Sequence, residues 1–114
     1  MTPTLTLSPG ALTLAELRHL WQQPVSVTLP SSADAVIAQS AAAIHAIVAQ
    51  GEAAYGINTG FGKLAKSRIP DAQLEQLQRN LILSHAVGVG EPMSDATVRL
   101  LMVMKAASLA RGFS

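Results

Sequence analysis

The sequence predicts a mainly α-helical fold with a small β-sheet or hairpin at its edge. Long stretches over residues 31–50, 70–87 and 94–111 repeat apolar residues every three or four positions, and each is bracketed by residues that start and stop helices. Alternation of polar and apolar residues is confined to two short N-terminal segments, which is what limits the sheet to an edge.

Thr4-Leu5-Thr6-Leu7 alternates as a half-buried strand does, and Ser8-Pro9-Gly10 reads as a turn. Thr13 caps a first helix running to Gln22, with Glu16 three residues on as the partner of a capping box. Leu14, Leu17, His19 and Trp21 supply its bulk, and Pro24 ends it. Val25-Ser26-Val27-Thr28-Leu29 alternates again and is placed to pair with the first strand. Ser31 and Asp34 then open an alanine-rich helix with Ile37, Ala41, Ile44 and Val48 at helical spacing, closed by Gly51. A glycine-rich loop from Tyr55 to Gly62 follows, then a basic and mobile connector, residues 63–68. Ile69-Pro70-Asp71 starts a third helix with an aspartate at its positive end and Leu74, Leu77 and Leu81 as its buried stripe. The same spacing carried forward puts Ser84 and His85 on the inward face. Gly88 to Pro92 breaks this helix, and Ser94 or Asp95 caps a last one with Val98, Leu101, Met102, Ala106 and Leu109 on one side.

At 114 residues the chain reads as one small domain or as a piece of a larger one. Eight basic and seven acidic residues give a net charge of +1 with no run of either sign, which argues against nucleic acid as a partner. Only 13% of residues are charged and 49% are hydrophobic, a balance that calls for burial against more protein. Cysteine is absent, which excludes disulfides, thiolate metal sites and cysteine nucleophiles. No export signal is evident and no run is expected to span a bilayer, so a soluble cytoplasmic protein without a membrane partner is expected.

The chemistry concentrates on the glycine loop, which holds the one tyrosine of the chain, Tyr55. A phosphate cradle is excluded, because the P-loop pattern asks for glycine at Ile57 and serine or threonine at Leu64. Gly60-Phe61-Gly62-Lys63-Leu64-Ala65 fits the relaxed dinucleotide pattern but lacks its βαβ setting. A free phenol titrates near ~10, so Tyr55 acts as a base only where donors or dipoles stabilise the phenolate; otherwise it is a packing residue at a loop edge. Ser84 and His85 are poor candidates for a nucleophile and base, since neighbouring helix residues diverge by about 100° and no acid stands nearby. A histidine that recognises a polar ligand, or one satisfied by backbone, fits better. Three scattered histidines without paired spacing do not make a metal site.

Five segments together resemble the N-terminal part of the histidine ammonia-lyases, within the aromatic amino acid lyase family. They are residues 55–62, Arg68-Ile69-Pro70, Leu77-Gln78-Arg79-Asn80-Leu81, Ser84 through Pro92, and Ser108 through Ser114. Looser similarity over Leu5–Gly10 and Leu12–Leu14 extends the resemblance to essentially the whole chain. It implies a helical homotetramer that eliminates ammonia from L-histidine to give urocanate, using a methylidene-imidazolone (MIO) electrophile formed from an internal Ala-Ser-Gly. It further implies Tyr55 as the base that removes the β-proton, and Ser84, His85 and Gly62 as substrate-binding residues. A site built to hydrogen-bond an imidazole disfavours a ring without nitrogens. The alternatives are a tyrosine or phenylalanine lyase or aminomutase of the same family, or a non-catalytic helical assembly module.

The sequence departs from the family in one respect: it contains no Ala-Ser-Gly, since Ala107-Ser108 is followed by Leu109. Residues 1–114 are therefore expected to be the N-terminal part of a longer lyase, truncated before the cofactor segment and inactive alone.

Overall fold

The computed structural model describes residues 2–113, so Ser114 of the last family-like segment lies outside the described residues. Two compact units are present. The first combines the chain up to Ala41 with the chain from Pro92 onward, and the second runs from Ala42 to Glu91.

In the first unit, β1 (Thr4–Thr6) pairs with β2 (Ser26–Thr28) in parallel, Leu5 opposite Val27. The edge sheet is as expected, but it is not a hairpin. Helix α1 (Leu14–Gln22) intervenes and carries the chain back to the starting end of β1, which only a parallel pairing accommodates. The ladder continues past both strands through Ser26 N–H to Pro3 O (2.8 Å) and Leu7 N–H to Thr28 O (2.9 Å). The capping box of α1 is present: Thr13 Oγ1 accepts from Glu16 N–H (3.2 Å), and Glu16 Oε2 accepts from Thr13 N–H (2.7 Å). The bulk that reaches the core is not what composition suggests, because Leu20 is fully buried while Leu14 and Trp21 are exposed.

Helix α4 (Asp95–Leu109) packs on α1, capped by Ser94, whose Oγ accepts from Thr97 N–H. Leu7, Leu20, Val103 and Ala107 form the core, with Leu17 and Leu100 against it. The expected face of α4 is the wrong one: Val98, Leu101, Met102 and Leu109 are exposed. The helix is apolar nearly all round, so periodicity does not select a face; contact with Leu20 does. Arg99 fixes that choice, its Nε donating to Leu20 O (2.7 Å) and its Nη2 to Trp21 O (2.9 Å) at the C-terminal end of α1. Gly112 ends the segment at φ +75°, where an added Cβ would lie 2.6 Å from Val36 O.

Helix α2 (Ser32–Gln50) begins in the first unit and ends in the second at Gly51, φ +75°. Of its predicted stripe, Ile44 and Val48 are half-buried and Ile37 and Ala41 exposed. Contrary to the sequence reading, α2 has the length and, at a mean hydropathy of 1.4, the apolarity to cross a bilayer. The expectation failed because eight alanines raise mean hydropathy without making a conspicuous run of large residues. The same length and composition suit a helix packed inside a larger helical protein.

The second unit continues with the glycine loop, a 3₁₀ turn over Gly62–Leu64, another over Asp71–Gln73, and α3 (Leu74–His85). The predicted mobile connector is instead tied down: Ala65 N–H bonds Gly62 O, Ser67 N–H bonds Leu64 O, and Thr59 pairs with Arg68 in an antiparallel bridge.

Candidate functional site

The site is built on the loop after α2. Its floor is Asn58, Thr59 and Gly60, all buried, and its rim is Tyr55, which is 66% exposed. The floor is held by backbone. Gly60 N–H donates to Ser67 O (3.0 Å), and Ile69 N–H donates to Asn58 O (2.8 Å), closing residues 58–69 into a compact loop. Gly60 is where two stretches of this loop touch, since a Cβ there would fall 2.6 Å from Leu64 Cβ and 2.9 Å from Leu64 O. Gly56 and Gly62 serve differently; their φ values of +80° and +58° belong to the left-handed region, and a Cβ at either would meet open space.

Tyr55 projects from this base. Its ring meets Phe61 edge to face, centroids 5.5 Å apart and planes at 73°, a favoured aromatic geometry. Apart from this aromatic contact, Tyr55 is largely exposed. Gly62, on the exposed side of the loop, lies one residue beyond Phe61.

Ser84 and His85 occupy the last turn of α3, and both are exposed, against the expectation of an inward face. The stripe Leu74, Leu77, Leu81 is half-buried, but among the described residues nothing covers the turn beyond Leu81. Helical spacing fixes direction, and burial requires something packed there. The two side chains also meet, which the divergence of neighbouring positions argued against. Both fold back onto one carbonyl, with Ser84 Oγ 3.0 Å and His85 Nδ1 2.8 Å from Leu81 O, and the two lie 3.1 Å apart. A carbonyl only accepts, so Nδ1 carries the hydrogen and Ser84 donates its own to Leu81 O. Nδ1 therefore cannot take a proton from Ser84, and the pair is not a nucleophile and base. In the neutral ring Nε2 is left as an acceptor.

The same helix also touches the loop. Gln78 Nε2 donates to Gly56 O (3.0 Å), so α3 holds the residue after Tyr55 and, about two turns or ~10 Å further along its axis, presents Ser84 and His85. The sequence places Gln78 and Asn58 in family-like segments without giving either a task; an asparagine between Gly56 and Gly60 was the available signal. No group of three or more histidine, aspartate or glutamate residues fit for a metal occurs among the described residues.

The model of the aromatic amino acid lyase family matches residues 12–114, and the chain belongs to that family. Within it, the chain is 59% identical over 110 residues to the histidine ammonia-lyase of Yersinia enterocolitica, covering 96% of this chain and 22% of that protein. It is 57% identical over 111 residues to that of Salmonella typhimurium and 56% identical over 110 to that of Salmonella arizonae, again with 22% of each covered. The chain thus spans about a fifth of the length of the curated relatives it matches. These residues contain no Ala-Ser-Gly, Ala107-Ser108 being followed by Leu109 within α4, so the MIO group implied by the resemblance is not formed from them.

Proposed function

We propose that this chain is the N-terminal part of an ammonia-lyase that converts L-histidine to urocanate and ammonia in the cytoplasm, and that the 114 residues alone are inactive. The observation that carries the reading is Tyr55, a phenol presented to solvent from a loop whose floor is buried and hydrogen-bonded. The similarity to proteins named histidine ammonia-lyase supports the substrate. The elimination is redox-neutral: the β-proton passes to the Tyr55 oxygen, the C–H electron pair forms the Cα–Cβ double bond, and the protonated amino group leaves as ammonia with the C–N pair. An MIO group, formed from an Ala-Ser-Gly elsewhere in the intact protein, would supply the electrophile that makes the amine a leaving group. His85 offers Nε2 to an N–H of the substrate imidazole, Ser84 holds the His85 ring, and Gly62 borders the substrate beside Tyr55.

Exposed apolar residues support further assembly, as in the homotetramers of the family. Ile82, Leu83, Val87 and Val89 follow one another around the end of α3, and Met102 lies on the uncovered face of α4. Assay of the intact protein with histidine, tyrosine and phenylalanine tests the substrate. Preference for histidine is expected, and preference for phenylalanine would remove the role given to Ser84 and His85. Tyr55→Phe in the intact protein is expected to keep folding and MIO absorbance while losing most turnover.

A further inference from the structure

We infer that Asn58 and Gln78 are positioning residues for Tyr55, an inference that rests on the reading of Tyr55 as the base. Asn58 is fully buried, and its amide is spent on the residues just before Tyr55: Oδ1 accepts from Ala54 N–H (2.8 Å) and Nδ2 donates to Glu52 O (2.9 Å). Its main chain works on the same turn, its N–H donating to Ala54 O (3.2 Å) and its carbonyl accepting from Ile69 N–H (2.8 Å). Ala54 is thereby pinned through both its polar main-chain groups by one residue. On the other side of Tyr55, Gln78 Nε2 donates to Gly56 O (3.0 Å).

The neighbours on both sides of Tyr55 are thus anchored, one to the buried floor and the other to α3. The anchors matter because Gly56 lies at φ +80° and a Cβ there would meet nothing within 4 Å, so no side chain limits the turn at that residue. With both held, the motion left to the phenol is rotation of its side chain. Gln78 has a second consequence. It fastens the loop to the helix that bears Ser84 and His85, so one side chain sets how far the proton-accepting oxygen stands from the group that holds the substrate ring. Proton transfer is sensitive to that distance, and a displacement of ~1 Å lowers rate by on the order of a hundredfold.

The two residues differ in a way that allows a clean test. Asn58 is buried, and its loss leaves polar groups unpaired, so a variant there risks the fold. Gln78 is exposed and its replacement leaves no cavity. The experiment compares Gln78→Leu, Asn58→Asp and Tyr55→Phe in the intact protein, using L-histidine and L-histidine deuterated at the β-carbon. Gln78→Leu is expected to lower kcat about 10- to 100-fold. Its KM should stay within about threefold, MIO absorbance should be unchanged, and the deuterium isotope effect on kcat should rise as proton removal becomes slower. Asn58→Asp keeps the acceptor toward Ala54 and loses the donor toward Glu52, so it should show a rise of the same sign.

Wild-type kcat and isotope effect in Gln78→Leu would overturn the inference. So would a fall in kcat that merely tracks the loss of folded, MIO-bearing protein with no change in isotope effect. If Tyr55→Phe abolishes turnover while Gln78→Leu is silent, the positioning role fails and the base assignment stands. If Tyr55→Phe retains turnover, both fall.

Discussion

Replacing Arg99 by methionine removes two hydrogen bonds and little else, because methionine retains an apolar stem of similar length. The guanidinium donates to Leu20 O at 2.7 Å in a partly buried setting and to Trp21 O at 2.9 Å in an exposed one. Hydrogen bonds made by a charged group contribute about 1.5–3 kcal/mol each when sheltered, and the exposed bond is taken well below that range because water competes for it. A cation at the C-terminal end of α1 adds about 0.3–1 kcal/mol through the helix dipole. Counting the sheltered bond near the low end and the other terms as small, Arg99→Met should destabilise by about 2–3 kcal/mol. At a urea m-value of ~1–3 kcal/mol/M that moves the midpoint by roughly 1 M or more. Trp21 is the sole tryptophan and its own carbonyl is one of the acceptors, so its fluorescence reports directly on this contact during urea unfolding of the chain. Arg99→Lys, which keeps the charge and loses the fork, should fall between the two. A midpoint for Arg99→Met equal to that of the parent would refute the claim that Arg99 locks α4 onto α1.

Gly60→Ala should destabilise by about 1–3 kcal/mol through overpacking, since the new methyl meets the main chain of Leu64 as well as its side chain. In the intact protein it should also lower kcat, because relief of the clash displaces the floor under Tyr55; a fully active and fully stable variant would contradict the close approach described for this loop. The Glu16 carboxyl is held below its ordinary value of 4.5, first by the Thr13 main-chain N–H and then by the Thr13 hydroxyl. A depressed folded value means that the stabilisation is complete above 4.5 and is lost as pH falls through the lower folded value. Glu16→Gln should accordingly flatten the acid side of the unfolding midpoint against pH, below the ordinary value of 4.5, with little change in the slope near neutrality.

Local chemistry was readable in the sequence wherever it was self-contained. Thr13 and Glu16 specify the start of α1 with atoms three residues apart, and Gly51 and Gly112 mark ends because φ values near +75° suit glycine. The glycine loop was legible as a presenting loop for Tyr55, and its failure as a phosphate cradle followed from Ile57 and Leu64 alone. Its internal construction was not legible. The grip of Asn58 on Glu52 and Ala54, and of Gln78 on Gly56, depends on how the loop folds back and where α3 passes, neither of which a residue pattern encodes.

The sequence by itself determined which segments are the main helices and strands and to which family the ordered motifs point, because each depends on neighbours a few residues apart; it placed the start of the third helix at Ile69-Pro70-Asp71, where a 3₁₀ turn precedes α3 at Leu74. Tertiary structure alone decided which faces are used. It chose Leu20 over Trp21 for the core, Val103 and Ala107 over Leu101 and Met102, and a parallel β1–β2 pairing over a hairpin. It also left Ser84 and His85 exposed at the end of a stripe whose covering stops at Leu81. The physical reason is the same in each case. Periodicity states which side chains share a direction, whereas burial is a property of what lies in that direction.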